Sequence, residues 1–405
     1  MADPGALRFP DGFLWGAATA AHQIEGGNVN SDYWQREYAE GSAVPEPSGD
    51  ACDSFHRYPE DIALLAGAGL GTYRFSIEWS RIEPEPGVIS QAAIDHYRRM
   101  VATCHRHGLT PMVTLHHFTV PRWMAARGGW RDPGAAELFA RFTEAALPIV
   151  RDGVPWVCTI NEPNIVACIA GAEDVHAPPV AHGLARPNRQ VSAELARAHR
   201  RSREVLSTVA SVRSGWTVAT QAIHAEPGCE GEASAYSYPL EEYFLEAARG
   251  DDFIGVQAYT RTFVGAGGAL PPREGVETTL TGWEYFPEAL GIGVRNAWAV
   301  TGGVPVIVTE NGIATADDAR RIDYTRAALT GLHRALADGV DVRGYLHWSA
   351  LDNYEWGSYR PTLGLIAVDR VTFARTVKPS ARWLGDVARA NALPVGAPPA
   401  RGAAS

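Results

Sequence analysis

The hydrophobic pattern alternates between short continuous apolar runs and longer stretches in which apolar residues recur every three or four positions. Continuous runs of this length, rich in β-branched and aromatic residues, are typical of strands buried on both faces of a parallel sheet. We assign eight runs to strands, at residues 13–19, 72–78, 110–116, 156–160, 217–223, 252–258, 304–309 and 342–348.

Helical patterns fill the intervals between these runs. Residues 316–339, for example, carry charge on one side and several leucines on the other. Eight strand-then-helix units imply a parallel sheet, and eight such units can close into a ring. We therefore predict an α/β fold, a single-domain (β/α)8 TIM barrel over residues 1–390. The Ala/Pro/Gly-rich stretch 391–405 is predicted to be a disordered tail.

Polar and aromatic side chains gather where the predicted strands end. In this barrel the C-terminal strand ends share one rim, and active sites lie there. The residues in question are Gln23, Arg74, His117, Asn161, Glu162, Tyr259, Glu310, Trp348, Glu355 and Trp356. Any one of them could be structural, but their convergence on one rim favours a functional site.

Two glutamates stand out within that set. TINEP at residues 159–163 and VTENG at residues 308–312 each end an apolar run with a glutamate next to an asparagine. A carboxylate at the tip of a buried strand is costly to desolvate unless something uses it. Glycoside hydrolysis needs two carboxyls flanking one bond, so Glu162 and Glu310 are the candidate catalytic pair. Two buried glutamates in salt bridges are the structural alternative.

The two pentapeptides resemble the acid/base and nucleophile signatures of glycoside hydrolase family 1, the β-glucosidase family. Four more blocks occur in that family's order: FLWGAATAAHQIEG from residue 13, YRFSIEWSRIEP from 73, TLHHF from 114 and LHWSALDNYEW from 346. The similarity extends from about residue 9 to about residue 387. Six ordered blocks are far more specific than any one of them.

The resemblance implies a retaining β-glycosidase. Glu310 would be the nucleophile and Glu162 the general acid/base, with the two carboxyls about 5–5.5 Å apart. Glu162 would then need a raised pKa, while Glu310 would have to stay ionised among cations and hydrogen-bond donors. Arg74 and Tyr259 match the family's arginine and tyrosine beside the nucleophile.

The resemblance also implies a binding site for the terminal sugar. The matching residues are Gln23, His117, Asn161, Trp348, Glu355 and Trp356. They offer amide, imidazole and carboxylate partners for hydroxyl groups and a flat apolar face for the sugar ring. The family's 6-phospho-glycosidases have a small polar residue in place of Glu355, so an unphosphorylated sugar is expected. Trp283 and Phe118 are candidates for the leaving-group side.

Several positions depart from the family pattern. Phe118 replaces a tryptophan, Gln257 and Ala258 replace an Asn-Tyr pair, and Leu363 replaces an aromatic residue. Residues around 171–187 and 265–282 look shortened. A more open mouth that admits a bulky leaving group would explain the short loops, and so would trimming without functional meaning.

Composition narrows the function further. The net charge of −10 argues against nucleic acid and anionic membranes as partners. No apolar run approaches the roughly 20 residues of a membrane span, and no secretory signal is visible. Five cysteines without C-x-x-C spacing indicate reduced thiols in a cytoplasmic protein and no metal site. The only lysine is Lys378, so Schiff-base chemistry on a barrel strand is excluded.

The function predicted from the sequence is double-displacement hydrolysis of the terminal non-reducing β-D-glycosyl residue of small glycosides, with no metal or organic cofactor. Glucose is the expected sugar, and galactose and fucose stay open. A transglycosidase on the same scaffold and a catalytically silent sugar-binding protein are the alternatives. Self-association is left open.

Overall fold

Eight parallel strands form the closed barrel of this protein in a computed structural model that describes residues 6–173 and 182–395. The strands are β1 Leu14–Ala18, β2 Thr72–Ser76, β3 Thr110–His116, β4 Trp156–Asn161, β5 Arg213–Ala225, β6 Ile254–Gly265, β7 Val306–Glu310 and β8 Val342–Trp348. Each pairs with its neighbours in chain order, and β8 pairs with β1 to close the ring. The predicted (β/α)8 TIM barrel is confirmed.

Helices surround the barrel. They are Ala21–Ile24, Asp32–Glu37, Ser54–Ala68, Trp79–Ile82, Gln91–Arg106, Arg122–Ala126, Ala135–Val150, Pro163–Ala172, Arg189–Leu206, Glu230–Leu240, Glu242–Ala247, Ala289–Thr301, Asp318–Ala337 and Pro379–Ala390, with a 3-10 turn at Gly129–Arg131. Gln91–Arg106 shows the local logic. The Ser90 side chain accepts from the Ala93 amide at its start, and the helix buries Ile94, Tyr97 and Met100 toward the strands.

The barrel has two apolar layers. A large cluster of Val, Ile, Leu and aromatic side chains fills the space between strands and helices. A separate cluster comprises Met112, Trp156, Cys158, Phe253, Ile307 and Leu346. Met112 and Ile307 alternate along their strands with Val113 and Val308, which belong to the large cluster. Because successive side chains of a strand point to opposite faces, the smaller cluster fills the barrel interior.

Strands β5 and β6 run well beyond the barrel. Their pairing continues from Ala222 opposite Arg261 to Ala225 opposite Val264, and Gly268–Ala269 returns antiparallel to β6. We call residues 219–225, 259–265 and 268–269 the raised wall. Sequence patterning ended these strands at residues 223 and 258, because polar residues interrupt the apolar runs beyond those points. Pairing between the two strands stabilises the extension without a continuous apolar sequence.

The C-terminal stretch is ordered as far as the structure describes it. Ala392–Pro394 pairs antiparallel with Ala6–Arg8. The Asn391 side chain donates to the Phe9 carbonyl oxygen at 3.0 Å and accepts from the Trp15 indole at 2.9 Å. The expectation of a disordered tail is therefore wrong for residues 391–395, because their side chains have partners under the barrel. Residues 396–405 lie outside the described part of the chain.

Two findings bear on the excluded functions. Within residues 6–173 and 182–395, no helix is both long and apolar enough to cross a membrane. The same residues contain no group of three or more His, Cys, Asp or Glu side chains that could hold a metal ion.

Of the segment 171–187 that looks shortened in the sequence, residues 174–181 lie outside the described part of the chain.

Candidate active site

Glu310 ends β7 with both carboxyl oxygens occupied by donors, and its side chain is 5 % exposed. Its Oε1 accepts from an Arg74 guanidinium nitrogen at 2.6 Å and from Gln257 Nε2 at 2.7 Å. Its Oε2 accepts from the Tyr259 hydroxyl at 2.7 Å. Burial raises the pKa of Glu310, and the Arg74 charge and the Tyr259 hydrogen bond oppose that rise.

Arg74 holds this arrangement together from inside the barrel. Its side chain is fully buried, and it donates to Thr114 Oγ1 at 3.0 Å and to Asn161 Oδ1 at 2.5 Å besides Glu310. A buried guanidinium is costly unless its donors are paired, and here several are. The shared ion pair and hydrogen bonds fix Asn161 and Glu310, from β4 and β7, on one cation.

Glu162 follows β4 at a strained backbone position. Its φ is +44°, in the left-handed region, and its backbone N–H donates to the Thr217 carbonyl oxygen at 2.8 Å. Burial raises the pKa of the Glu162 carboxyl well above its ordinary value, and the charges of Glu310 and then Glu355 raise it further, while Arg74 lowers it. A shared proton therefore resides on Glu162 rather than on Glu310.

The network of Asn161 determines the tautomer of His117. Asn161 Oδ1 accepts from Arg74, from Thr217 Oγ1 at 3.1 Å and from Gln257 Nε2 at 2.8 Å, so its Nδ2 is the group 3.2 Å from His117 Nε2. Burial and the Arg74 charge hold the pKa of His117 well below its usual range. The neutral ring accepts at Nε2, so its Nδ1 carries the proton.

Among the described residues, three of the buried polar atoms that have no hydrogen-bond partner belong to one cavity. They are Gln23 Oε1, His117 Nδ1 and Gln257 Oε1, and all three residues line the same cavity. Gln23 is oriented by its Nε2, which donates to the Tyr354 carbonyl oxygen at 2.8 Å and to Glu355 Oε2 at 3.2 Å. Buried polar groups are normally paired, so two acceptors and one donor point to a polar ligand.

Two tryptophans complete this end of the cavity. The Trp356 ring stacks on His117 at 6.1 Å between ring centroids, and the Trp348 ring stacks on His117 at 5.8 Å. The Trp348 indole donates to Glu355 Oε1 at 3.1 Å. Burial raises the pKa of Glu355 to about 8, against the Trp348 hydrogen bond. Flat rings beside paired hydrogen-bonding groups suit the alternating apolar and hydroxyl faces of a sugar.

The cavity measures about 440 Å³ and contains both candidate catalytic glutamates. The family model described as glycosyl hydrolase family 1 matches residues 6–236 and 240–393. The chain belongs to glycosyl hydrolase family 1.

Relatives named for their activities agree with this membership. The chain is 34% identical to thermostable beta-glucosidase B of Thermobispora bispora, over 96% of this chain and 92% of that protein. It is 30% identical to the bifunctional beta-D-glucosidase/beta-D-fucosidase of Bifidobacterium breve, over 93% of this chain and 97% of that protein. The chain is 45% identical in sequence to beta-glycosidase BGL167, whose solved structure matches with a TM-score of 0.88. The match covers 97% of this chain and 100% of that one.

The residues selected from the sequence come together in this family 1 chain. Those that line the cavity are Gln23, His117, Phe118, Glu162, Tyr259, Trp283, Glu310, Trp348, Glu355 and Trp356. Arg74 and Asn161 lie beneath the lining and bind it through hydrogen bonds. Trp283 is 44% exposed, and its ring centroid is 5.5 Å from that of Tyr259, the residue that donates to Glu310 Oε2.

Sequence reasoning missed how some residues act. The sequence shows Gln257 only as a departure from the family pattern, although its Nε2 donates to both Glu310 and Asn161. Register shifts at the end of β4 and within β6 re-aim these side chains, and no single-sequence pattern shows such a shift. Ala258 does not open the cavity, because it packs in the layer between strands and helices.

Buried His22 is a second missed residue. Its Nε2 lies 3.0 Å from Glu37 Oε1, and its ring stacks on Trp356 with centroids 5.6 Å apart. It therefore supports the Trp356 ring, which also stacks on His117. The signal available in the sequence was its place beside Gln23 in the AHQIEG block, which did not distinguish support from contact.

Proposed function

We propose that this protein is a retaining β-glycosidase that removes the terminal non-reducing β-D-glucosyl residue from small unphosphorylated glycosides. Galactose and fucose are the open alternatives, and the name of the bifunctional relative supports fucose. The carrying observation is the asymmetry of the glutamate pair. Glu310 is held by Arg74, Gln257 and Tyr259, whereas the pKa of Glu162 is raised well above its ordinary value by burial and by Glu310 itself.

The first step would form a covalent intermediate. A carboxylate oxygen of Glu310 attacks the anomeric carbon, and the bond from that carbon to the leaving-group oxygen breaks. Glu162 gives its proton to that oxygen, so the leaving group departs as a neutral alcohol. Loss of the Glu310 charge lowers the pKa of Glu162, because the Glu310 charge is one of the causes of its rise.

The second step would release the sugar. Glu162, now ionised, takes a proton from water while the water oxygen attacks the anomeric carbon from the face that the leaving group vacated. The ester bond breaks and its electron pair returns to Glu310 as carboxylate, next to Arg74. Two inversions at one carbon give net retention of the anomeric configuration.

The sugar would be held by the unpaired polar atoms. Gln23 Oε1 accepts a sugar hydroxyl proton, and the His117 Nδ1–H donates to a hydroxyl oxygen. Glu355 places a carboxyl next to Gln23 and Trp348, at the position where the family's 6-phospho-glycosidases have a small polar residue. That glutamate supports an unphosphorylated sugar.

The test is removal of the nucleophile. Glu310→Ala should lower kcat for an aryl β-glucoside by at least about 10⁴-fold, because the covalent route is lost. Added azide should restore turnover and give the α-glycosyl azide, since one inversion replaces two. The exposed Glu40→Ala serves as the control variant and should keep wild-type kcat. Full activity of Glu310→Ala would rule out the assignment.

Two readouts separate the alternatives. A 2-fluoro glucoside should label Glu310 covalently, and a catalytically silent sugar-binding protein would stay unlabelled. Product analysis with an added alcohol distinguishes hydrolysis from glycosyl transfer, because the same intermediate serves both. A cytoplasmic location stays a prediction from the sequence.

A further inference from the structure

The cavity continues outward past the nucleophile, along the inner side of the raised wall. Its outer lining is largely apolar, with Ile165, Leu184, Phe263, Leu270, Pro271 and Trp283. Strand β6 passes Tyr259 and continues outward as part of the raised wall, and the Trp283 ring centroid lies 5.5 Å from that of Tyr259. Under the proposed function, this outer part faces the group that leaves when the glycosidic bond breaks.

The hydroxyl groups of this outer part are bonded within the protein. Thr260 Oγ1 donates to the Glu284 carbonyl oxygen at 2.9 Å, and Thr262 Oγ1 donates to Gln221 Oε1 at 2.7 Å. Thr281 Oγ1 lies 2.7 Å from Thr279 Oγ1. Donors already engaged in this way gain little from a ligand hydroxyl group, because one hydrogen bond is only exchanged for another.

The cation at this level is also engaged. Arg261 donates through two nitrogens to Glu284 Oε1, at 3.0 Å and 2.5 Å. Its guanidinium also lies over the rings of Phe263 and Phe286, at 4.7 Å and 4.3 Å from their centroids. The paired charge gives an anionic leaving group little attraction.

We infer that the outer cavity selects apolar leaving groups, alkyl or aryl, over a second sugar; this rests on the proposed glycosidase function. A second sugar brings several hydroxyl groups that would lose water against apolar side chains and engaged donors. An alkyl or aryl group instead buries its surface against Leu270, Phe263 and Trp283. The raised wall is thereby a specificity element.

The experiment compares leaving groups of matched reactivity. Ethyl, propyl, butyl, pentyl and hexyl β-D-glucosides all release a simple primary alcohol, so chemical reactivity is nearly constant along the series. We expect kcat/KM to rise about two-fold per added methylene, half of the roughly four-fold that full burial of one methylene would give. Cellobiose should be cleaved about ten-fold less efficiently than the hexyl glucoside.

A variant pair locates the effect. Leu270→Asn replaces an apolar side chain of the outer lining, one that is 38% exposed and therefore tolerant of change. It should lower the hexyl-to-ethyl ratio of kcat/KM about three-fold or more. Val371→Asn changes an apolar residue that is 86% exposed and does not line the cavity, so it should keep the wild-type ratio.

The outcomes are distinct. Failure to cleave any glucoside, including an activated aryl glucoside, would refute the glycosidase function itself. Cleavage of the alkyl series at a flat kcat/KM, or faster cleavage of cellobiose than of the hexyl glucoside, would overturn the leaving-group inference and leave the function standing. An unchanged ratio in Leu270→Asn would also overturn it.

Discussion

At the scale of single residues, the site places three carboxyls around one cation. Glu162, Glu310 and Glu355 line the same cavity, and Arg74 bonds only Glu310 among them. Burial raises the pKa of all three acids. One positive charge cannot compensate three buried negative charges, so some of these carboxyls stay protonated at neutral pH. The hydrogen-bond donors around each carboxyl determine which one is ionised.

Gln257 is one of those donors, and its role can be tested by pH. Gln257→Leu removes an N–H from Glu310 Oε1, so the pKa of Glu310 should rise. Under the proposed function Glu310 is the nucleophile and must be ionised, so the acid limb of the kcat/KM profile should move to higher pH. The alkaline limb would report Glu162, the proposed acid, which must be protonated. At the optimum, kcat/KM should fall about ten-fold or more, the loss of one hydrogen bond to a charged group.

A purely structural role of Gln257 would give a different result. Lower kcat/KM with an unmoved acid limb would contradict the assignment of Gln257 as a donor to the nucleophile. The exposed Gln190→Leu is the matched control, since it removes the same amide from a helix surface and should leave both limbs in place.

The sequence predicted the residue types of the site but not their bonds. TINEP and VTENG identified Glu162 and Glu310 because a glutamate at the end of an apolar run is unusual. The hydrogen bonds of Gln257 Nε2 to Glu310 and Asn161 depend on register shifts between strands, which only the folded sheet contains. Likewise, the orientation of His117 follows from the lone pairs of Asn161, not from a sequence pattern.

At the scale of elements, the close approach of β7 to β8 sets the positions of Glu310 and Trp348. A Cβ at Gly312 would lie 2.0 Å from the Trp348 carbonyl oxygen, so only glycine lets the segment after Glu310 pass the end of β8. This backbone contact therefore helps to position Glu310 and Trp348, in addition to the hydrogen bonds of their side chains.

Gly312→Ala should move both elements. We expect a loss of about 1–3 kcal/mol in the free energy of unfolding, as for other overpacked sites, together with lower kcat/KM. Gly67→Ala is the control, because a Cβ there meets nothing within 4 Å in an exposed part of the helix Ser54–Ala68. That change should stabilise the protein by about 0.5–1 kcal/mol. Equal behaviour of the two variants in thermal melts and kinetics would contradict the close-approach argument.

The strands were predictable where burial is complete and not where pairing alone sustains them. The predicted runs 110–116 and 342–348 coincide with β3 and β8, which lie inside the barrel. The outer parts of β5 and β6 carry Thr, Gln and Arg between apolar residues, so their pattern resembles a loop. Their hydrogen-bonded partner, rather than an apolar environment, makes them strands.

At the scale of the whole molecule, the two ends of the described chain are joined beneath the barrel. Leu393 is 1% exposed, and its strand Ala392–Pro394 pairs with Ala6–Arg8. The aromatic rings of Phe9, Phe13 and Trp15 pack nearby with centroids 4.8–4.9 Å apart. Composition suggested a loose tail here, because Ala, Pro and Gly dominate the stretch. The contact instead depends on Leu393, the one leucine that the stretch buries.

Leu393→Ala measures that contact. It should lower the free energy of unfolding by about 2–5 kcal/mol, the usual cost of emptying a buried leucine site. Val395→Ala removes an apolar side chain that is 61% exposed and should change it by less than about 0.5 kcal/mol. Denaturant unfolding of the two variants gives the comparison, and a small loss in Leu393→Ala would show that the terminal strand is dispensable.

The pairing of the terminal strands has one more consequence. Leu7 stands opposite Leu393, and opposed Cα atoms of antiparallel strands are about 4.5–5.5 Å apart, so in a variant cut to residues 6–395 a few added residues would connect residue 395 to residue 6. The polypeptide would then be circular, and it could be opened elsewhere, for example at the exposed turn around Gly108. The gene thus determines which of the eight strand-and-helix units is synthesised first, because a closed barrel has no first or last strand.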